Sequence, residues 1–365
     1  MRASARKSKS STKTFVRDRD GAPVNDTPPR PSTVPEDAIV RVIRVPPESH
    51  GMRLDRFLTT QLRATSRTRA ALIIENSAFS WDGRRLKPSE RVKGEDRIVL
   101  WRPALDEAPP PSDLTTIYED EHLLVVNKPP LMTVHPTARH HRHTVIRSLQ
   151  AQRPDQFLSL IHRLDRETSG ILMLAKSPEA DRLFKMQLEG RAKTEARAAK
   201  RGDPIPARAD KVYLAITWGT PPSGLVNAPL TADPSPLRVK MCVTEPGEGL
   251  AARTGITVLE QCEGYALVQC DLYTGRQHQI RVHLAHVGAA IVGDKLYGPD
   301  EVYLARGADN ELTQEDLAVL ELPRHALHST LYRLVHPFTK QEIEFRAPLP
   351  LDLAAFWKHV SQRDF

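Results

Sequence analysis

Apolar and polar positions along the chain fall into distinct regimes. Residues 1–40 are rich in Ser, Thr, Pro and Lys/Arg and carry few large apolar side chains. Such a stretch buries too little surface to offset chain entropy, which predicts a disordered basic tail. In "MRLDRFLTTQL", Leu54, Phe57, Leu58 and Leu62 recur at helical spacing. Ser66 stands as N-cap to a second helix through "RTRAALIIEN". "AFSWDGRRL" supplies Asp82-Gly83 as a hairpin turn, and "RIVLW" is a strand. These elements define a small α/β unit over 41–105, and "APPPSD" makes 106–113 a linker.

From residue 114 the pattern alternates strands, hairpins and single helices. "HLLVVNKPP" (122–130) is a short buried strand stopped by Pro129-Pro130, and "ILMLA" is another. Ser177-Pro178 starts a helix whose apolar face holds Leu183, Phe184 and Leu188. Residues 191–210, "RAKTEARAAKRGDPIPARAD", are charged and poor in periodicity and read as a mobile insertion. "KVYLAITWG" alternates as a half-buried strand, and "GITVLEQCEGYALVQCDLYTG" is a hairpin about Glu263-Gly264. "RQHQIRVHLAHVG" is helical with Ile280, Leu284 and Val287 inward and Gly288 as the stop. Gln277 and Arg281 are then expected on the opposite, outward face. The pattern predicts an α+β fold with a mixed, largely antiparallel sheet and flanking helices over 114–349. Residues 350–365 form a terminal helix or tail.

Charge separates the two parts. Residues 1–105 carry twenty-two Lys/Arg against twelve Asp/Glu, net +10, in a chain of net +7, so the remainder is net −3. A basic excess confined to the N-terminal third is the footprint of a polyanion-binding module joined to a body with another task. No apolar run approaches the ~18 residues of a membrane span. The basic start "MRASARKSKSSTK" lacks the apolar core of a secretory signal, though it shares the basic, Ser-rich character of an organelle transit segment. Cys242, Cys262 and Cys270 are sparse and show no C-x-x-C spacing, so the default compartment is a reducing cytoplasm.

Candidate chemistry concentrates in "HRLDRETSGILMLAKS" (162–177), where one carboxylate, Asp165, lies between Arg163 and Arg166 at the mouth of a buried strand. Taken alone it is an ordinary turn aspartate. Tyr213 in "KVYLAITWG" and Arg281 in "GRQHQIRVH" have equally plain readings as a strand residue and a helix charge. Together, "HRLDRETSGILMLAKS", "KVYLAITWG" and "TGRQHQIRVHLAHVGAAIVGDKLYG", with "VVNKPP" and "VHP" upstream, resemble the RluA family of pseudouridine synthases in both content and order. The small unit "RLDRFL…SRTRAALI…WDGRRLKPSERVKGEDRI" resembles an S4 RNA-binding domain. One departure is Asn76-Ser77, where that domain usually has glycine; Asn tolerates the left-handed conformation expected there.

By that resemblance Asp165 is the catalytic carboxylate, Tyr213 stacks on the base and handles the C5 proton, and Arg281 pairs with Asp165. Arg163 is expected to fill the place of the flipped nucleotide or to hold its phosphate. Arg276, Gln277, His278 and His135 complete the expected substrate contacts. Isomerising uridine breaks the N1–C1′ bond and remakes it from C5, and a carboxylate can act at the anomeric carbon where charge develops. An adjacent guanidinium favours the ionised carboxylate in a dry pocket, an aromatic face retains the freed uracil, and the nucleotide must be flipped out of its stack. Atoms balance within the substrate, so the resemblance implies no cofactor and no metal. The expected partner is RNA, large-subunit ribosomal RNA ahead of transfer RNA, bound by a monomer without a membrane. The histidines of "HPTARHHRH" (135–143) lack a cysteine or carboxylate at ligand spacing and read as an RNA-facing loop. Two rivals remain: an RNA-binding assembly factor without chemistry, and a nucleoside glycosidase using Glu167 as a second carboxylate.

Overall fold

A two-residue ladder, β1 (Val16–Arg17) with β2 (Pro23–Val24), precedes the strand β3 (Ile39–Arg44). The helical spacing of Leu54, Phe57 and Leu58 produces α1 (Leu54–Gln61), in which all three are buried. Ser66 accepts a hydrogen bond from the Arg69 N–H and starts α2 (Arg67–Ser77). β4 (Ala78–Ser80) and β5 (Arg97–Arg102) complete a three-stranded antiparallel sheet in the order β3–β5–β4. Gly83, with φ +88°, makes the turn after β4. Both helices pack on one sheet face through Ile43, Ile74, Ile98 and Leu100.

In the computed structural model this unit, Met1–Asp106, separates from a second, Glu107–Phe365. The structure describes residues 16–17, 23–24, 28–36, 38–62, 65–102, 114–137, 143–206, 208–234, 240–300, 302–309 and 312–362. Most of the basic tail, the expected linker 106–113 and residues 138–142 of the histidine-rich stretch lie outside it.

Two expectations for the first unit need correction. Residues 28–36 do not belong to a disordered tail: Val34 is buried against Phe79, Val99 and Trp101 on the sheet face away from the helices. That single apolar side chain, with Arg30 Nη1 donating to the Val34 carbonyl at 2.7 Å, secures an otherwise polar segment. No left-handed residue closes α2 either. Ala78 follows in extended conformation, φ −95°, so the chain enters β4 without the reversal that a left-handed residue would provide.

The second unit is built on a ten-stranded sheet. β6 (Thr115–Glu119) pairs with β7 (Leu123–Lys128). After α3 (Val145–Gln152) come β8 (Ser159–Leu160), β9 (Ser169–Ala175) and α4 (Pro178–Arg201). β10 (Lys211–Trp218), β11 (Gly224–Asn227), the small pair β12 (Leu230–Ala232) and β13 (Met241–Val243), and the hairpin β14 (Arg253–Cys262) with β15 (Tyr265–Leu272) follow. Then come α5 (Gln279–His286), α6 (Val302–Asp309), α7 (Gln314–Leu320), β16 (Leu327–Val335), β17 (Glu342–Arg346) and α8 (Leu351–Ser361). The sheet runs β11–β14–β15–β10–β16–β9–β7–β6, with β17 on β16 and β8 on β9. Its described pairings are antiparallel except β9 with β16, giving the mixed, largely antiparallel α+β fold that the alternation predicted.

Interior position overrides local pattern here. Every residue of β9 is buried, as expected for a strand covered on both faces. β10 does not alternate: Val212, Tyr213, Ala215, Ile216 and Thr217 are all buried between β15 and β16. Residues 191–201 are not a mobile insertion. They extend α4, which Ser177 caps at its start and left-handed Gly202 closes. Alanine and long straight side chains favour a helix without an apolar stripe, and Arg253 Nη2 ties the far end down by donating to the Ala198 carbonyl at 3.0 Å. α8 buries Leu353, Trp357 and Val360 in the main core. Among the described residues no helix is long and apolar enough to cross a membrane.

Candidate active site

Asp165 lies in the loop between β8 and β9, and its neighbours explain why that loop is fixed. Lys128, wholly buried at the end of β7, donates to the carbonyls of Pro129, Met132 and Arg166 at 2.8, 2.9 and 3.1 Å. Burial pushes its ammonium well below the usual lysine range. Downstream, Thr168 Oγ1 contacts His325 Nε2 at 2.8 Å and Ser169 Oγ contacts His328 Nδ1 at 2.9 Å. Gly170 has φ +109°, and a Cβ there would sit 2.2 Å from the Ser329 carbonyl oxygen. The T-S-G sequence therefore lets β9 approach β16 as closely as it does.

Arg281 reaches this loop from α5. Its Nη1 donates to Asp165 Oδ2 at 3.2 Å, while Nε and Nη2 form a bidentate pair with Asp294, both at 2.7 Å. Asp294 is completely buried and also accepts the Leu296 and Tyr297 N–H groups. Burial opposes charge on both partners. Their pairing outweighs it, holding the Asp294 carboxyl well below and the Arg281 guanidinium well above their usual ranges. Gly293 has φ +76°, and a Cβ would lie 2.1 Å from the Arg324 carbonyl oxygen, so the turn that delivers Asp294 requires glycine.

His278 caps the start of α5 in the left-handed region, φ 57°, an unusual conformation for a residue with a side chain. That backbone turns its imidazole toward Asp165, with Nε2 3.8 Å from Oδ2 and Nδ1 2.9 Å from the Tyr297 hydroxyl. Burial, then the Arg281 charge, depresses His278 to about 4, so its ring is neutral at pH 7. The Tyr297 ring lies 5.1 Å from the Arg281 guanidinium carbon, within cation–π range. Tyr213 is buried on β10, and burial pushes its phenol up to about 12, with the Asp165 charge adding to the effect. The phenol is thus protonated at neutral pH.

The other expected contacts are distributed differently. Neither Arg163, which is exposed, nor Arg166 forms an ion pair with Asp165. Arg276 is half-buried and donates through Nε to the Ala251 carbonyl at 3.1 Å. Gln277 and His135 are exposed. Gln277 precedes α5 instead of lying on its outer face, and Arg281 does not project outward. All six residues Gln279–Leu284 are buried, because neighbours enclose this part of α5 on every side. Its buried amide is satisfied: Gln279 accepts from Thr274 Oγ1 and donates to Thr254 Oγ1 and the Arg253 carbonyl. Glu167 is committed to Lys295 Nζ at 2.8 Å and the His325 N–H at 3.0 Å, which removes the second carboxylate a glycosidase would need. Among the described residues no group of three or more His, Cys, Asp or Glu is placed to hold a metal ion.

The motif reading missed Asp294, Tyr297 and Lys128. A signal for the first was present in "IVGDKLYG": an aspartate directly after an apolar run and a glycine is poorly explained as surface.

This cluster offers a fixed, partly solvent-facing carboxylate, a buried guanidinium beside it and a protonated phenol nearby. Residues 122–286 match the family model described as RNA pseudouridylate synthase, and residues 52–98 match the S4 domain. An RNA pseudouridine synthase of Chloroflexus aurantiacus is 35% identical, covering 90% of this chain and 96% of its own. The chain belongs to the RluA family of RNA pseudouridine synthases. The ribosomal large subunit pseudouridine synthase D of Pseudomonas aeruginosa is 33% identical over 87% of this chain and 94% of its own. That of Xanthomonas campestris is 31% identical over 88% and 93%. As a pseudouridine synthase the chain is an isomerase that converts uridine to pseudouridine in RNA, with an S4 domain in front of its catalytic unit.

Proposed function

We propose that this enzyme isomerises uridines in large-subunit ribosomal RNA, with Asp165 as the central carboxylate. The observation that carries the assignment of Asp165 is its setting: a 28% exposed side chain contacted by a guanidinium that is itself 8% exposed and locked by Asp294. Asp165 thus stays open to solvent while its partner base is immobilised, the arrangement that a carboxylate acting on a docked nucleotide needs. The ribosomal target is supported by the large-subunit enzymes among the relatives.

In this reading Asp165 acts at C1′ as the N1–C1′ bond breaks, and Arg281 keeps it ionised and oriented. Asp294 in turn fixes Arg281 by two hydrogen bonds, so the guanidinium does not reorganise during the reaction. Tyr213 lies against the freed uracil while it rotates. The C5 proton leaves after the C5–C1′ bond forms, and N1 gains a proton. Arg163, exposed two residues before Asp165, is assigned to the flipped nucleotide or its phosphate, and Arg276, Gln277, His278 and His135 to further substrate contacts. The test is pseudouridine mapping of total RNA from cells with and without this gene, restored by wild type or by Asp165→Asn. Sites in large-subunit RNA that return with wild type alone support the reading. Sites confined to transfer RNA would reassign the substrate, and sites restored by Asp165→Asn would remove Asp165 from the chemistry.

A further inference from the structure

The extension of α4 is the part of the catalytic unit that this function leaves unused. Its two faces differ. One side is tied to the body by the Arg191–Asp210 ion pair and by Arg253 at the Ala198 carbonyl. Glu189, Lys193, Arg197 and Lys200 recur at helical spacing on another side, and with Arg276 they line a groove of about 380 Å³. Four cations therefore meet one carboxylate, on a unit whose own charge is net negative.

Helix electrostatics accounts for only part of this arrangement. Cations in the last turn complement the carbonyl end of a helix, which covers Lys200 and Arg201. Arg201 is further occupied by Asp203 at 2.9 Å through Nε. Arg197 and Lys193 lie outside that turn. Lys193 has Glu189 at 3.6 Å, and Arg197 and Lys200 form no ion pair among the described residues. The groove shares Arg276 with the loop that opens α5, and a Cβ on its neighbour Gly275 would lie 3.8 Å from Lys211 Nζ, two residues along β10 from Tyr213.

We propose that the groove formed by Lys193, Arg197, Lys200 and Arg276 binds phosphates of the RNA strand flanking the target uridine. The inference rests on the pseudouridine synthase reading of the adjacent site and adds a backbone anchor that holds substrate during flipping. Unpaired cations on one helix face suit a phosphate backbone, which carries charge at regular intervals and needs no sequence-specific partner.

The experiment is RNA affinity against salt for the full-length protein, using a fragment of large-subunit RNA with a single-stranded target loop. Arg197→Ala/Lys200→Ala should lower the slope of log affinity on log salt by about 1.4, at ~0.7 for each single-strand phosphate no longer neutralised. Its melting temperature should stay at the wild-type value, because both side chains are exposed. Arg182→Ala/Lys358→Ala removes two exposed cations elsewhere on the unit and should leave the slope unchanged. Arg197→Lys/Lys200→Arg keeps the charge and should keep the slope. A wild-type slope in the first variant overturns the groove, as does an equal fall in the control, which would assign the effect to net charge. A reduced slope in the charge-conserving variant also overturns it. Binding is read without turnover, so a slope that falls in the first variant while the wild-type protein forms no pseudouridine would fail the functional reading alone.

Discussion

The tetrapeptide Arg-Leu-Asp-Arg occurs twice, at 53–56 in the S4 unit and at 163–166 in the catalytic unit, with opposite outcomes. Asp55 is consumed locally. It sits 4% exposed in the first turn of α1 and accepts Arg53 Nη2 at 2.8 Å, Arg67 Nε at 3.1 Å and the Arg56 N–H at 2.7 Å. Asp165 accepts nothing from its flanking arginines and instead meets Arg281, 116 residues away. The first carboxylate has its hydrogen-bonding capacity filled by the fold. The second keeps one side open, and in the function we propose that unfilled capacity serves the chemistry. Identical neighbours in sequence thus yield a fully engaged acid where a helix start collects nearby donors, and a partly open one, the carboxylate we propose is reactive, where the chain brings in a distant guanidinium.

The comparison is broken most sharply by changing each acid to its isosteric amide. Asp165→Asn should keep the melting temperature and RNA affinity while uridine conversion falls by more than about a hundredfold, the scale of removing an acid–base or nucleophilic group. Asp55→Asn should do the reverse, retaining turnover at saturating RNA. Single-turnover assays on both variants decide it, and residual activity in Asp165→Asn above about a hundredth of wild type would make the two acids equivalent.

Arg281→Ala comes next. It leaves Asp294 fully buried without its partner, a change that costs about 3–5 kcal/mol, and it also removes the donor to Asp165. Denaturant melts and turnover should both drop. A variant with wild-type values in both would show that the buried pair is not needed.

Deleting residues 1–105 separates the units themselves. Net +10 is removed, so RNA affinity should fall and its salt slope should become shallower by ~0.7 for each single-strand phosphate released from the protein. Conversion of a short stem-loop at high enzyme concentration should survive, since Asp165, Tyr213 and Arg281 lie in the remaining unit. Equal slopes for the two proteins would deny the S4 unit a part in binding.

The smallest effect concerns acid stability. The Arg53 hydrogen bond, against the penalty of burial, lowers Asp55 from 3.8 to about 2. A depressed carboxyl stabilises the fold above its unfolded value and loses that contribution as pH falls through the folded one. The stability difference between wild type and Asp55→Asn should therefore be constant above pH 4 and shrink between 4 and 2, read by urea melts. Arg53 is half-buried and Arg67 exposed, so the difference is screened and modest.

Much of this molecule follows from the chain alone, for a physical reason. Ser66 and Ser177 cap the helices they precede, Gly83 and Gly264 turn their hairpins, and Leu54, Phe57 and Leu58 share a buried face. Caps, turns and stripes depend on residues within a few positions of each other, so local sequence carries them. The motif segments that mark the family, and their order along the chain, were equally legible. What the tertiary structure decided were the approaches between distant segments: residues Gln279–Leu284 of α5 enclosed, Arg281 shared between Asp165 and Asp294, and Glu167 claimed by Lys295. Whether an aspartate is fully engaged or left open depends on which donors reach it through space. Two copies of Arg-Leu-Asp-Arg hold the same donors in sequence, and only folding determines which of them arrive.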